Sequence, residues 1–318
     1  MTGVQSVGPE TEDALVDLIR TVRDTGYRFT TVTPASHARV NARPDAARAR
    51  HLRDVLGWSR PFSDDAVPSG VLAALQRAGV VDSEGEFRRA TIRLSSLDDE
   101  LFLHSAYPPD STDAVFFGPD TMRFVSAVIA HLAQREKPVH RAVDIGSGSG
   151  AAGIAIAKRA AGAEVLLVDI NPAALQAGRI NARAAGVAGI EPRRSNLLDD
   201  VEGDFDLIVS NPPFMIDRSG RTYRHGGGTF GEGLSQAVVE AAAERLAPGG
   251  SLVLFTGSVI VDGADPFRDA ALATCERHGL RTQYREFDPD AYGEELEDPA
   301  YAEADRIALV VLTATRPA

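Results

Sequence analysis

The stretch Val143-Asp144-Ile145-Gly146-Ser147-Gly148-Ser149-Gly150 passes from an apolar run into three glycines at alternate positions. Glycine lets a backbone turn tightly and approach a ligand with no Cβ in the way. Ala142 to Ile145 reads as a buried strand and Ala151 to Ala161 as a helix, so the glycines join strand to helix. Such a turn by itself fits any nucleotide fold, or a helix packed closely on a strand. Asp169, 19 residues past Gly150, closes a second strand-like run, Glu164 to Ile170. An acid at that place can accept both hydroxyls of a ribose. NAD would suit it as well as any other nucleoside, and a solvent-facing acid would stand there too, so these two features leave the cofactor open.

Downstream the alternation continues. A helix is expected from Pro172 to about Ala185, a strand from Glu191 to Leu197 and another from Phe205 to Ser210. A helix from about Leu234 to Leu246 leads through Pro248-Gly249-Gly250 into a strand from Ser251 to Thr256. A helix from Pro266 to His278 and strands from Leu280 to Phe287 and Ile307 to Thr313 complete the pattern. Units of this kind predict an open, mostly parallel α/β sheet covered on both faces. The apolar run Leu207-Ile208-Val209-Ser210 ends in Asn211-Pro212-Pro213-Phe214. The prolines end the strand and stiffen the chain just beyond it. The resulting corner sits where an α/β sheet places its ligands, at a strand's carboxyl end. A side-chain amide beside an aromatic face suits a flat, nitrogen-bearing group.

Taken in order, Asp144-x-Gly146-x-Gly148-x-Gly150, Asp169 and Asn211-Pro212-Pro213-Phe214 resemble the class I S-adenosylmethionine-dependent methyltransferases. Within them the resemblance is to the Asn-Pro-Pro-Phe/Tyr group, which methylates planar NH2 nitrogens. It covers roughly residues 117–315 and implies a Rossmann-like sheet with S-adenosyl-L-methionine as cofactor. By resemblance, Asp144, Gly146, Gly148 and Gly150 hold the methionine part of the cofactor and Asp169 its ribose. Asn196 stands where the family often has an acid that meets the adenine amine. The Asn211 oxygen and the Pro212 carbonyl accept the two N–H bonds of the acceptor, and the Phe214 ring stacks on its plane. No general base or metal is implied. Phe116-Phe117-Gly118-Pro119-Asp120-Thr121 is similar to the segment of the HemK/PrmC release-factor glutamine methyltransferases in which a Pro-x-Thr-Glu element closes over the cofactor. Pro119 and Thr121 match that element, and Met122 stands where the group carries Glu. Gly231-Glu232-Gly233-Leu234 matches the group's Gly-x-Gly-Leu helix start, whereas the stretch from Phe214 to Tyr223 has no Glu-Pro-x-x-Ala-Leu segment.

Residues 1–110 read as a smaller N-terminal domain and residues 111–318 as the methyltransferase domain. In the former, Leu15, Leu18, Ile19 and Val22 recur at helical spacing before Gly26. A second helix is expected to open at Pro44 and carry Ala46, Ala47, Leu52, Val55 and Leu56, and a third to run from Ser69 to Gly79. Strands are expected at Phe87 to Leu94 and Leu101 to Tyr107, joined by a turn from Ser95 to Glu100. Three helices and a hairpin match a winged helix. Arg39, Arg43, Arg48, Arg50, Arg53 and Arg60 against Asp45 and Asp54 read either as a phosphate-contacting surface or as a solvated face.

The 318-residue chain carries a formal net charge of −12, which argues against broad attraction to a phosphate backbone. From Glu286 to Asp305 there are nine acids and no Lys or Arg. That stretch is either a solvated loop or a gate that attracts a cationic substrate, with Tyr284, Tyr292 and Tyr301 as lining. A small-molecule or protein substrate is therefore expected ahead of nucleic acid. Release-factor glutamine or an exocyclic amine of rRNA or DNA remain the alternatives. The single cysteine, Cys275, excludes an internal disulfide and reads as a core residue, and the seven histidines have no metal-ligand spacing. No run approaches the ~18 apolar residues of a membrane span, and Met1 to Asp13 is too polar for a secretory leader, so a cytoplasmic protein is expected.

Overall fold

The computed structural model describes residues 8–109, 111–217, 221 and 223–318. The first seven residues, part of the polar stretch Met1 to Asp13, and positions 218–220 and 222 between Phe214 and Tyr223 lie outside it. Two compact units emerge. One comprises residues 1–123, 148–151 and 171–188, and the other residues 124–147, 152–170 and 189–318.

The N-terminal elements are α1 (Pro9–Asp24), α2 (Pro34–Asn41), α3 (Leu52–Leu56), α4 (Ser69–Arg77), β1 (Val81–Glu84), β2 (Phe87–Ala90), β3 (Ile92–Leu97) and β4 (Glu100–Ser105). After them come α5 (Pro119–Gln134), β5 (Arg141–Ile145), α6 (Ala151–Arg159), β6 (Glu164–Asp169), α7 (Pro172–Ala184), β7 (Ile190–Arg194), β8 (Phe205–Ser210), α8 (Gly233–Arg245), β9 (Leu246–Ile260), α9 (Pro266–Arg277), β10 (Arg281–Asp288) and β11 (Arg306–Thr315).

The first unit buries one face of α1 through Leu15, Leu18, Ile19 and Val22, in a core shared with Leu75 of α4, Leu94, Leu103 and Ile180 of α7. Four expectations for this region are corrected. Pro44 opens only a short 3-10 turn, Pro44–Ala46, and the helix begins afresh at Leu52. Asp54 makes that start, because its Oδ2 accepts the backbone N–H groups of Arg50 and His51. An additional helix, α2, starts at Pro34 behind Thr33, whose hydroxyl accepts the N–H of Ser36; proline at the first position behind a threonine cap is a standard start signal. The expected strand from Phe87 to Leu94 divides at Thr91, whose N–H goes to Val80, so two hairpins form, β1–β2 and β3–β4. Ser95 and Ser96 belong to β3 rather than to a turn. Ser95 is buried and bonds Thr31 and His104 Nε2, the latter at 2.7 Å, which satisfies its hydroxyl inside the core. Burial, with Arg93 close by, holds His104 far below its usual range and pushes His37 down to about 4, so both are neutral core residues.

The second unit is a seven-stranded sheet in the order β10-β11-β9-β8-β5-β6-β7, in which β11 runs antiparallel to both neighbours and the remaining pairs are parallel. Strands covered on both faces read as continuous apolar runs, and Leu207, Ile208 and Val209 of β8 are fully buried. The strand order reverses at β5, with β6 on one side and β8 on the other. The carboxyl ends of β5 and β8 therefore form the switch point at which open α/β sheets place their ligands. Cys275 is buried in α9, as expected for a core residue. β9 is far longer than the expected Ser251 to Thr256. Pro248-Gly249-Gly250 lies within it as a register irregularity opposite Phe205 to Leu207, and an unbroken ladder to β11, from Ser251↔Thr315 to Ile260↔Arg306, sustains the rest of its length. β7 ends at Arg194 instead of reaching Leu197. No helix among the described residues is long and apolar enough to cross a membrane.

Candidate active site

Four of the residues singled out from the sequence lie at neighbouring strand ends of the second unit: Asp144 on β5, Asp169 on β6, Asn196 just beyond β7 and Asn211 just beyond β8. The register pairs Asp144 with Val209 and Ile145 with Ser210, and the Ser210 hydroxyl donates to the Ile145 carbonyl at 2.8 Å. Gly146 and Asn211 therefore leave the sheet side by side. Gly146 has φ 68, a conformation open to glycine, and its N–H and that of Ser147 both donate to Val168 of β6. A Cβ at Gly146 would meet no atom within 4 Å, so the turn faces open space.

Asp144 is 1% exposed and accepts the N–H of Gly153 in α6 at 3.0 Å. Burial pushes its carboxyl up to about 8; the Gly153 bond opposes the shift and the charge of Asp169 adds to it. This has a consequence for stability. Between about pH 4 and pH 8 the unfolded chain ionises Asp144 while the folded protein keeps it protonated, so stability falls as pH rises through that window and the loss is complete above the folded value. Asp144→Asn is expected to remove this slope in urea titrations at about pH 5 and pH 8. A slope equal to that of the unaltered protein would show that the carboxyl titrates normally.

Asp169 is half-buried, and its carbonyl accepts the N–H of Ser195. Ile170, next in the chain, is 50% exposed, a large apolar side chain left open beside the acid. Nothing in the sequence sets it apart from the end of an ordinary buried strand. Asn196 is exposed, and its amide donates to Asp199 at 3.0 Å, so its oxygen is the atom left to meet a partner.

Asn211 has a different environment. Its Oδ1 is buried and has no hydrogen-bond partner among the described residues, a state that costs about 1–3 kcal/mol where no partner is supplied. Pro212 is buried and Phe214 half-buried. The backbone beyond the motif is gripped by glycines. Met215 exchanges hydrogen bonds with Arg224 and Gly226. A Cβ at Gly226 would lie 2.5 Å from the Pro213 oxygen, and one at Gly231, which has φ 104, would lie 2.3 Å from the Phe214 oxygen. The tract Gly226-Gly227-Gly228 and Gly231-Glu232-Gly233-Leu234 thus form the seat of the Asn-Pro-Pro-Phe corner.

The first unit holds the other residues of the motif. Thr121 lies in the first turn of α5, where its hydroxyl accepts the N–H of Gly118 at 3.2 Å. Gly148 and Gly150 have φ 51 and 76. The peptide between them is fixed by Asn181 of α7, which is 1% exposed, donates to Ser149 and exchanges two bonds with Leu103 of β4. Asn181 is a supporting residue that no motif announced, because its partners come from distant parts of the chain.

The acidic stretch after β10 folds into two 3-10 turns, Gly293–Glu297 and Pro299–Tyr301. Although the stretch holds no basic residue, the tertiary structure brings two to it: Arg224 pairs with Glu295 at 2.5 Å and Arg306 with Glu286 at 3.0 Å. Glu294 and Glu297 are exposed. Tyr284 is not a lining residue, since it sits on β10 and gives its hydroxyl to Asp265 at 2.7 Å. Tyr301 is buried and its hydroxyl accepts the N–H of Ile216 at 2.8 Å, while the Tyr292 ring meets that of Phe214.

Residues 112–260 match the Methyltransferase small domain. A release factor glutamine methyltransferase of Deinococcus radiodurans is 31% identical over 179 residues, 53% of this chain and 63% of its own length. A ribosomal RNA small subunit methyltransferase C of Chromohalobacter salexigens is 37% identical over 120 residues, 38% of this chain and 32% of its own. A 4-amino-L-phenylalanine/4-methylamino-L-phenylalanine methyltransferase of Streptomyces pristinaespiralis is 29% identical over 153 residues, 44% of this chain and 52% of its own. The chain thus spans less than two thirds of the length of these curated relatives. The matched domain spans the glycine turn, Asp169 and the Asn-Pro-Pro-Phe corner, and together with these relatives it supports a class I S-adenosylmethionine-dependent methyltransferase domain of the HemK-like group in residues 112–260.

Proposed function

We propose that the protein is an S-adenosylmethionine-dependent N-methyltransferase whose acceptor is a planar NH2 nitrogen. That nitrogen is a guanidinium, amide or amine of a small cationic molecule, such as an arginine-like compound, or of a protein side chain. The observation that carries this reading is the buried, unpartnered Oδ1 of Asn211 beside the half-buried Phe214 ring. A delocalised nitrogen is a poor nucleophile, so the protein's contribution is placement, plus acceptors for N–H groups that gain positive character as the bond forms. Asn211 Oδ1 and the Pro212 carbonyl take those two N–H bonds, and Phe214 holds the plane.

When bound, S-adenosylmethionine supplies an electrophilic methyl group on a sulfonium. The chain's residues fit it: Gly146 opens on free space, and the buried Ser147 hydroxyl has no partner among the described residues. Asp144, Gly146, Gly148 and Gly150 would hold the methionine part, Asp169 the ribose, and Thr121 the covering segment. Ile170 would offer an apolar surface to the flat base, and Asn196 its amide oxygen. The exposed Glu294 and Glu297 favour a cationic acceptor. Changing both to Gln is expected to raise KM for an arginine-like acceptor several-fold at low salt, with kcat little changed. An unaltered KM would make these acids ordinary surface charges.

The direct test is incubation with methyl-labelled cofactor and a panel of arginine analogues, 4-amino-L-phenylalanine, glutamine-containing proteins and RNA. Label on an NH2 nitrogen supports the reading, and label on none of them, or on carbon or oxygen, defeats it.

One observation favours a second reading, an exocyclic amine of RNA. Arg39, Arg43, Arg48, Arg50 and Arg53 are exposed, while Asp54 is engaged by Arg60 at 3.1 Å and by backbone N–H groups. RNA methylation of that kind would weaken steeply as salt rises, whereas a small acceptor would be far less affected.

A further inference from the structure

The acidic stretch does more than carry charge. It is strapped to the sheet and to the segment just past the Asn-Pro-Pro-Phe corner. Ala291 donates to Ile307, and Asp305 donates to Ile260, each at 2.8 Å. The buried Tyr301 receives the N–H of Ile216, and Glu295 pairs with Arg224. Within this strap Tyr292 adopts φ 61 and ψ 36, a left-handed conformation that a bulky residue avoids unless its surroundings require it. Gly293 is the very next residue, so the left-handed position could have fallen on the glycine at no steric cost.

What the conformation achieves is a ring contact. Tyr292 and Phe214 meet with centroids 5.9 Å apart and planes at 63°, an edge-on pair. Elsewhere around the Phe214 ring lies Gly257 of β9, where a Cβ would come within 2.4 Å of Cδ2. The ring therefore rests against bare backbone at Gly257 and against the Tyr292 ring, and Val259, Tyr301 and Ile307 complete the apolar cluster around it. A half-buried phenylalanine would otherwise turn about its side-chain torsions, and a stacking surface is useful only if its attitude is fixed to within some 10–20°.

We infer that Tyr292 is a positioning residue: it locks the Phe214 ring, seated on Gly257, in the attitude that stacks a planar acceptor. The strap from Pro289 to Asp305 thereby governs acceptor binding. The inference rests on Phe214 being the acceptor's stacking face.

The test uses full-length protein carrying Tyr292→Ala or Tyr292→Phe, with whichever panel acceptor the unaltered protein methylates. Tyr292→Ala should raise acceptor KM and lower kcat, by roughly tenfold or more in kcat/KM, while the Kd for S-adenosylmethionine stays within about twofold. Tyr292→Phe keeps the ring that meets Phe214 and should restore both. Unchanged kinetics in the alanine variant, equal losses in both variants, or parallel loss of cofactor affinity would each overturn the inference. If the unaltered protein labels no acceptor, the functional reading fails and the positioning is read separately. In protein labelled with 4-fluorophenylalanine, the position-214 fluorine resonance, assigned through Phe214→Leu, should move in Tyr292→Ala and not in Tyr292→Phe. An unmoved resonance in the alanine variant overturns the inference.

Discussion

Asn211→Ala should keep S-adenosylmethionine binding and lose methyl transfer by roughly 100-fold or more, the scale seen when one preorganised polar group is removed from a transition-state site. The expectation comes from the state of Oδ1, buried with no hydrogen-bond partner. An acceptor held in that condition lowers stability unless a ligand completes it. Its surroundings keep it there: Ser210 ties the end of β8 to Ile145, and the buried Pro212 fixes the backbone just beyond. Truncation removes the orphan atom, so the variant should be about as stable as the unaltered protein or slightly more so, a common relation between stability and function at active sites. Calorimetric titration with the cofactor, thermal melting and transfer of labelled methyl together decide the matter. Full turnover in Asn211→Ala would remove the residue from the acceptor site. A large drop in Tm with turnover per folded molecule intact would make it a structural residue.

Gly231→Ala should be among the most damaging single methyl groups in the chain's second half. At φ 104 any side chain is strained, and the new Cβ would sit 2.3 Å from the Phe214 oxygen and 2.7 Å from its carbonyl carbon. These are backbone atoms, which cannot swing aside as a flexible side chain would. Left-handed strain and overpacking together suggest a loss of about 3 kcal/mol, and the strain that remains is passed to the corner holding Asn211 and Phe214. Gly227→Ala provides the control. Gly227 also has positive φ, 70, yet its Cβ would meet nothing within 4 Å, so only the conformational cost of about 1 kcal/mol applies. Urea unfolding of both variants measures the difference. Equal midpoints would show that the glycines serve the turn alone and do not admit the corner's backbone.

The contrast between these two glycines marks the limit of what could be read along the chain. In the tract Gly226-Gly227-Gly228 a glycine needed for its φ and one needed for a close approach are the same letter. The arginines of the N-terminal region posed a similar ambiguity. Arg60 finds Asp54 and is half-buried, whereas Arg39 to Arg53 remain exposed, a division that spacing could not make. Tyr284, Tyr292 and Tyr301 share a place in an acidic stretch and nothing more. The structure sends the first to Asp265, the second to Phe214 and the third into the core.

By itself the sequence determined the alternating architecture, the glycine turn after β5, the acid closing β6 and the amide-proline-aromatic corner after β8. Each depends on local chemistry: strand periodicity, backbone permission at glycine and the fixed φ of proline. Only the tertiary structure decided which of those groups are left wanting a partner. It buried Asn211 Oδ1 and Ser147 Oγ without one among the described residues, placed Asn181 behind Ser149, and set Tyr292 and Gly257 around Phe214. The reason is physical. Desolvation and close approach depend on atoms brought from far along the chain, and no window of neighbouring residues contains them.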